Sequence, residues 1–184
     1  MPDSKLERIA LIADLVARSP SRLGRTALMK CLFFLKVLKG LPLPYNFRLY
    51  TYGPFDSDVL DDLQYAEYLG AVESELVTYY GGRGYEYGRG PKAEGLQNES
   101  KDFLAKYRES VDWVLKEFGN RTAMDLEMAS TLVYIDRTSG KKNAKKTIAD
   151  LARKVHEVKP HISADAIERE AQKLRERGLL TAVA

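Results

Sequence analysis

The sequence predicts a mainly α protein with a small β-hairpin, an α+β chain with a winged-helix-like amino-terminal part and a helical carboxyl-terminal part ending in a short strand. Three observations carry this expectation. Apolar residues recur at three- and four-residue spacing through most of the chain. The stretch AVESELVTYYGGRGYEYGRGP has β-branched and tyrosine-rich arms around Gly81-Gly82-Arg83-Gly84, as a hairpin requires. The order helix, helix, strand, helix, hairpin is close to that of a winged helix.

Each element has its own justification. Ser4-Lys-Leu-Glu7 is a capping box, and Leu6, Ile9, Ala10, Ala13, Val16 and Ala17 form one stripe, predicting a first helix that ends near Ser19-Pro20. In RLGRTALMKCLFFLKVLKG, Leu28, Cys31, Leu32, Leu35 and Leu38 repeat the pattern, with Gly40 as the stop. Phe47, Leu49 and Thr51 alternate with Arg48 and Tyr50, predicting a short strand that Gly53-Pro54 ends. Asp56 or Ser57 then caps a third helix through about Leu69-Gly70, and the hairpin follows.

A linker is expected at Lys92 to Asn98, separating a winged-helix-like domain, 1–91, from a helical domain, 96–184. The second domain is read as packed on the first and as a second, looser winged-helix-like element. It opens with a long helix to Gly119, striped by Leu96, Phe103, Leu104, Tyr107, Val111, Val114, Leu115 and Phe118. RTAMDLEMASTLVYI has Thr122 as its cap and almost no polar face, which predicts a helix packed on several sides. An amphipathic helix through Thr147, Ile148, Leu151, Ala152 and Val155 follows, then KPHIS as a turn. A last helix carries Ile167, Ala171 and Leu174 and closes at Gly178, and LLTAVA supplies the final strand.

Composition narrows the function. The chain has 184 residues, 45% apolar and 30% charged, which suits one compact core or two small ones. No stretch reaches the roughly 20 apolar residues that span a bilayer, and the amphipathic MPDSKLERIALIADL is unlike a signal peptide, so a cytoplasmic protein with no membrane partner is expected. Cys31 is the one cysteine, in the apolar run MKCLFFL, which predicts a buried thiol and no disulfide framework. The net charge is +3; from Arg121 onward 13 basic residues face 9 acidic ones, so the basic excess lies in the second half.

YTYGPFDSDVLDDL, with Asp56, Asp58, Asp61 and Asp62, invites a metal reading. An EF-hand, however, needs an oxygen ligand and then a glycine where this row has Leu60 and Asp61. Carboxylates in the first turn of a helix are accounted for by its dipole, at about 0.3–1 kcal/mol each. Tyr52, Gly53 and Pro54 read as a structural corner, glycine allowing an unusual backbone angle and proline suiting the start of a helix. GGRGYEYGRG lacks the Walker lysine and the spacing of a dinucleotide fingerprint. His156 and His161 are the only histidines, too few for the usual zinc set or nucleophile–base pairs. Glu157-Val158-Lys159 mimics the end of a nuclease site but is read as solvated surface, with no strand-borne aspartate before it.

Basic residues give a nucleic-acid alternative. Arg18, Arg22, Arg25 and Arg83 with the wing tyrosines, and the cluster Lys141, Lys142, Lys145 and Lys146 preceded by Arg137, would attract a phosphate backbone in a salt-dependent way. The helix that enters the major groove in a winged helix is here DSDVLDDLQYAEY, whose acids would repel phosphate.

The segment LGRTALMKCLFFLKVLKGLPLPYNFRLYTYGPFDSDVLDDLQYAEYLGAV resembles the core of the YwgA-like proteins of bacteria and archaea and, more distantly, the Panacea domain of phage-associated proteins and antitoxins. Lys30, Leu32, Phe33, Tyr52, Gly53, Pro54, Leu60, Leu63 and Gly70 carry the likeness, which extends weakly through MDLEMASTLVYI and KPHISADAIEREAQKLRERGLL. The second helix departs from the Panacea pattern in lacking its aromatic and histidine run. The resemblance implies a winged-helix-like scaffold without a known catalytic centre, used in Panacea proteins to neutralise a toxin partner.

Together these readings predict a non-enzymatic regulatory or interaction protein, antitoxin-like or associated with phage defence, that needs no cofactor. Asp56, Asp58, Asp61, Asp62 and Glu67 would face a basic protein partner. A winged-helix-like, nucleic-acid-binding regulator is the alternative, a divalent-metal nuclease built on the acid row the minor one, and homo-oligomerisation is left open.

Overall fold

The computed structural model describes residues 5–79, 82–138 and 147–181. In chain order the elements are α1 (Lys5–Arg18), β1 (Leu23–Gly24), α2 (Arg25–Lys39), β2 (Arg48–Tyr50), β3 (Gly53–Phe55), α3 (Ser57–Tyr68), β4 (Val72–Tyr79), β5 (Gly82–Arg89), α4 (Ala93–Glu99), α5 (Lys101–Phe118), α6 (Ala123–Thr138), α7 (Ile148–Val158) and α8 (Ala164–Glu176). The chain is mainly helical with a small antiparallel sheet, the α+β class expected. It divides into two compact units, one of residues Met1–Arg48 and Phe55–Arg121, the other of Leu49–Pro54 and Thr122–Ala184.

The first unit has the winged-helix order of elements. Its sheet runs β1-β5-β4, all antiparallel, with Leu23 opposite Tyr87 and Val72 opposite Arg89. α1 is buried around most of its circumference, Ile9, Ala10, Leu11, Ile12, Ala13 and Leu15 being shut off from solvent, because α3, α4, α5 and the hairpin all pack on it. α2 leans on α5 through Phe34, whose ring stacks on Phe118 at 3.8 Å between centroids. The helix stops at Gly40, where φ is +69° and the backbone N–H donates to the Leu35 carbonyl.

Cys31 is wholly buried, as expected, and desolvation pushes its thiol up to about 12 from an ordinary value of 9.0. Between those values the unfolded chain releases a proton that the folded chain keeps, so the stability of this unit falls as pH rises through the window. The slope is about 1.4 kcal/mol per pH unit. Urea melts at pH 8 and pH 10 check this, and Cys31→Ala should flatten the dependence.

The structure corrects three boundaries. Residues 92–98 are not a linker: Ala93–Glu99 form α4, which packs on α1. Gly95 and Asn98 weaken the local helix signal, and packing of the buried Ala93 supplies what propensity lacks. α4 and α5 therefore belong with the winged helix, and the division falls after Arg121 instead of at 91–96. Finally, Gly53-Pro54 does not open a helix. Both lie in β3, paired with β2 in a separate two-stranded ribbon, and the helix begins at Ser57.

In the second unit α6 is the central helix expected from its sequence. It packs on α7 and α8, and it buries Leu126, Met128, Ala129, Leu132, Val133 and Ile135. Thr122 accepts from the Asp125 backbone at 3.2 Å. Thr147 and Asp150 make a full capping box on α7, and Ser163 caps α8 through the Ala166 N–H. α8 is followed by Gly178 at φ +69°. Leu179–Thr181 are not a strand; Asp136 accepts from the Thr181 N–H at 2.8 Å and hydroxyl at 3.0 Å, and Arg137 donates to the Leu179 carbonyl. Side chains of α6 satisfy groups that a sheet partner would otherwise take. The Ser4 cap, Tyr80-Gly81 of the hairpin turn, Lys141, Lys142, Lys145 and Lys146, and 182–184 lie outside the described residues.

Candidate functional site

The acid row divides into two sets on α3. Asp56 is the N-cap, accepting from the Asp58 N–H at 2.9 Å while its other oxygen accepts from the Asn46 N–H. Asp58, Asp61, Gln64, Glu67 and Tyr68 are exposed, Tyr68 at 82%.

Asp62 departs from the expectation of an exposed acid. It is 3% exposed and accepts from Arg8 Nε at 2.6 Å, Arg8 Nη2 at 3.3 Å and the Tyr45 hydroxyl at 2.9 Å. Desolvation first, and the Asp62 charge beside it, hold the Tyr45 phenol far above its ordinary range, so it remains a donor. The reason is helical geometry: Val59, Asp62, Leu63 and Ala66 are the buried stripe, and position 62 falls inside it. The spacing alone carried that signal. Asp62 therefore belongs to the core and not to a partner surface.

Beside α3 stands the hairpin. Ser74 lies opposite Tyr87, Leu76 opposite Tyr85 and Thr78 opposite Arg83, so these residues share one sheet face. Tyr87 is buried, whereas Leu76 and Tyr85 remain 53% and 42% exposed. Between the α3 wall and this face lies a cleft of about 390 Å³, lined by Arg25, Asp61, Gln64, Glu67, Tyr85 and Tyr87 among others. Ser74 donates its hydroxyl to Glu67, and the Arg25 guanidinium sits over the Tyr85 ring, 5.0 Å from its centroid.

Most of the arginines expected to meet phosphate are engaged within the first unit. Arg18 pairs with Asp14 at 2.8 Å and with Asp112, and Arg22 pairs with Glu75. Arg83 is exposed on β5.

The second unit holds a polar cluster that sequence reasoning misplaced. Lys159, read as solvated, is 2% exposed. Its ammonium donates to the carbonyls of Tyr50, at 3.0 Å, and Thr51, and pairs with Glu127 Oε1 of α6 at 2.9 Å. His161 Nε2 lies 3.3 Å from the same carboxylate oxygen. Gly53, at φ +87°, lies against α6, where a Cβ would stand 3.0 Å from Ser130 Oγ and 3.2 Å from Thr131 Oγ1. Tyr52-Gly53-Pro54 is thus a structural corner: glycine is required both for backbone angle and for close approach, and Lys159 ties down the turn. The tyrosines flanking Thr51, Tyr50 and Tyr52, point to solvent.

Among the described residues no three His, Cys, Asp or Glu side chains are grouped to hold a metal ion. The acid row is not gathered either, since Asp56 caps α3, Asp62 faces Arg8, and Asp58 and Asp61 are exposed. No described helix is long and apolar enough to cross a membrane. The fold and this surface define a winged-helix-like unit with an acidic third helix, joined to a helical unit. No family model and no curated protein matches the chain.

Proposed function

We propose that the chain is a cytoplasmic regulatory interaction protein that acts by binding a basic protein partner on the α3 side of its winged-helix-like unit. A single observation carries this reading: the helix that leads into the hairpin presents Asp58, Asp61, Glu67 and the exposed ring of Tyr68 to solvent. Acids repel a phosphate backbone and attract lysine and arginine, while an exposed tyrosine supplies rigid amphipathic contact area. The pairing of Arg18 and Arg22 with carboxylates supports the same choice over nucleic acid. The resemblance to Panacea proteins makes a toxin the class of partner that suits the reading, with the chain as its antitoxin-like neutraliser and phage defence as the setting.

The test is affinity purification of the full chain from its native host beside the triple charge reversal Asp58→Lys, Asp61→Lys, Glu67→Lys. A stoichiometric basic protein should accompany the native chain and be lost from the reversal. Recovery of no stoichiometric partner, or equal recovery by both chains, overturns the proposal.

A further inference from the structure

The cleft between α3 and the hairpin sets the acids of α3 against two tyrosines of the sheet. Asp61, Gln64 and Glu67 follow one another at three-residue steps along α3 and line it together with Leu60 and Leu63. Across from them the sheet offers the Tyr85 and Tyr87 rings, and Leu76, just outside the lining, stands opposite Tyr85 on the same face. Leu76 and Tyr85 are a half-exposed cross-strand pair, and Tyr85 lines the cleft with the two carboxylates. The single cation of the lining, Arg25, is already held over Tyr85, so the lining carries two negative charges against one positive.

We propose that this groove receives an extended segment of the protein partner in which lysine or arginine alternates with apolar residues. It rests on the function proposed above and names the place and chemistry of contact. Period-two alternation in an extended chain sends successive side chains to opposite sides. Cationic residues then face Asp61 and Glu67 while apolar residues lie on Leu76 and Tyr85. Charge complementarity selects the occupant: a nucleic-acid strand would bring phosphates to the acid wall, and an acidic segment would meet Asp61 and Glu67 with like charge.

Arg25 gives the inference a signature of its own. The Arg25 guanidinium covers the Tyr85 ring on which an apolar residue of the segment would lie, and its charge repels the incoming cations. Removing it as Arg25→Gln should tighten binding of a basic segment by about three-fold. If the surface served nucleic acid, the same change would weaken binding.

The probe is a ten-residue peptide alternating lysine and valine, titrated into the isotope-labelled full chain and followed by amide chemical shifts, with a glutamate–valine peptide as control. Shifts should concentrate on Leu60 to Glu67, Ser74 to Leu76 and Tyr85 to Tyr87. Affinity should fall at least about ten-fold in Asp61→Asn/Glu67→Gln and in Leu76→Ser. Shifts located elsewhere, equal response to the glutamate peptide, absence of binding, or weakening by Arg25→Gln would each overturn the groove proposal. A partner lost on triple reversal but retained by Leu76→Ser would sink the groove and leave the partner-binding function standing; no partner at all would sink the function itself.

Discussion

Replacing Lys159 with alanine should destabilise the second unit by about 3–5 kcal/mol, the scale for breaking a buried ion pair from one side. The ammonium is the common donor to the Tyr50 and Thr51 carbonyls and the partner of Glu127. Its loss strands a buried carboxylate and two backbone acceptors together. Lys159→Met retains most of the volume and should be nearly as damaging, which separates the charge effect from a cavity effect. Adding Glu127→Gln to Lys159→Met should recover a good part of the loss, because the stranded charge disappears with it. Urea unfolding followed by circular dichroism measures all three variants. A cost below about 1 kcal/mol for Lys159→Ala, the size typical of a surface ion pair, would show that the cluster does not hold the turn.

Asp62→Ala should cost the first unit about 3 kcal/mol, whereas Asp58→Ala, four residues earlier on the same helix, should cost less than about 1. The contrast follows from what each acid touches. Asp62 joins Arg8 of α1 to the buried Tyr45 hydroxyl, and removing it takes the acceptor from a buried phenol and breaks the ion pair with the guanidinium. Asp58 is exposed at the start of α3 and offers only its charge to the helix dipole. Thermal melts of the two variants decide the matter, and equal melting temperatures would remove the distinction. Any binding experiment on the acid row has to leave Asp62 intact, since loss of partner in an Asp62 variant would report on folding.

How much was legible follows the range of the interactions. Helices α7 and α8 were readable because their signals are local: apolar residues three and four apart, the KPHIS turn between them and Gly178 at the end. The hairpin was readable for the same reason, with strand formers on both sides of glycine. The helix at Ala93–Glu99 was not, because its stability comes from packing on α1 and its own sequence contains Gly95. The two-stranded ribbon was read as one strand because only Thr51 and Tyr52 separate its arms. Asp62 could have been assigned to the core, since Val59, Leu63 and Ala66 mark the stripe it shares. Lys159 could not: nothing near it in sequence announces a buried cation, and its partners, Glu127, Tyr50 and Thr51, come from distant segments. Of the proposed interaction surface, the acids of α3 were legible, while the Leu76–Tyr85 pair required the strand register, which no local pattern specifies.

The turn that Lys159 secures has a consequence for synthesis. Tyr50 and its ammonium donor are 109 residues apart in the chain. At about 5–20 residues per second, a ribosome makes the turn roughly 5–20 s before it makes the lysine that closes it. Through that interval the Tyr50 and Thr51 carbonyls lack their lysine donor, and Gly53 has no α6 to rest against. The second unit is consequently not a contiguous piece of sequence that can complete itself as it leaves the exit tunnel. A nascent chain stopped at Arg121 would carry all of α1 to α5 yet keep an open loop between Arg48 and Phe55, where a protease could read the difference between an unfinished protein and a finished one.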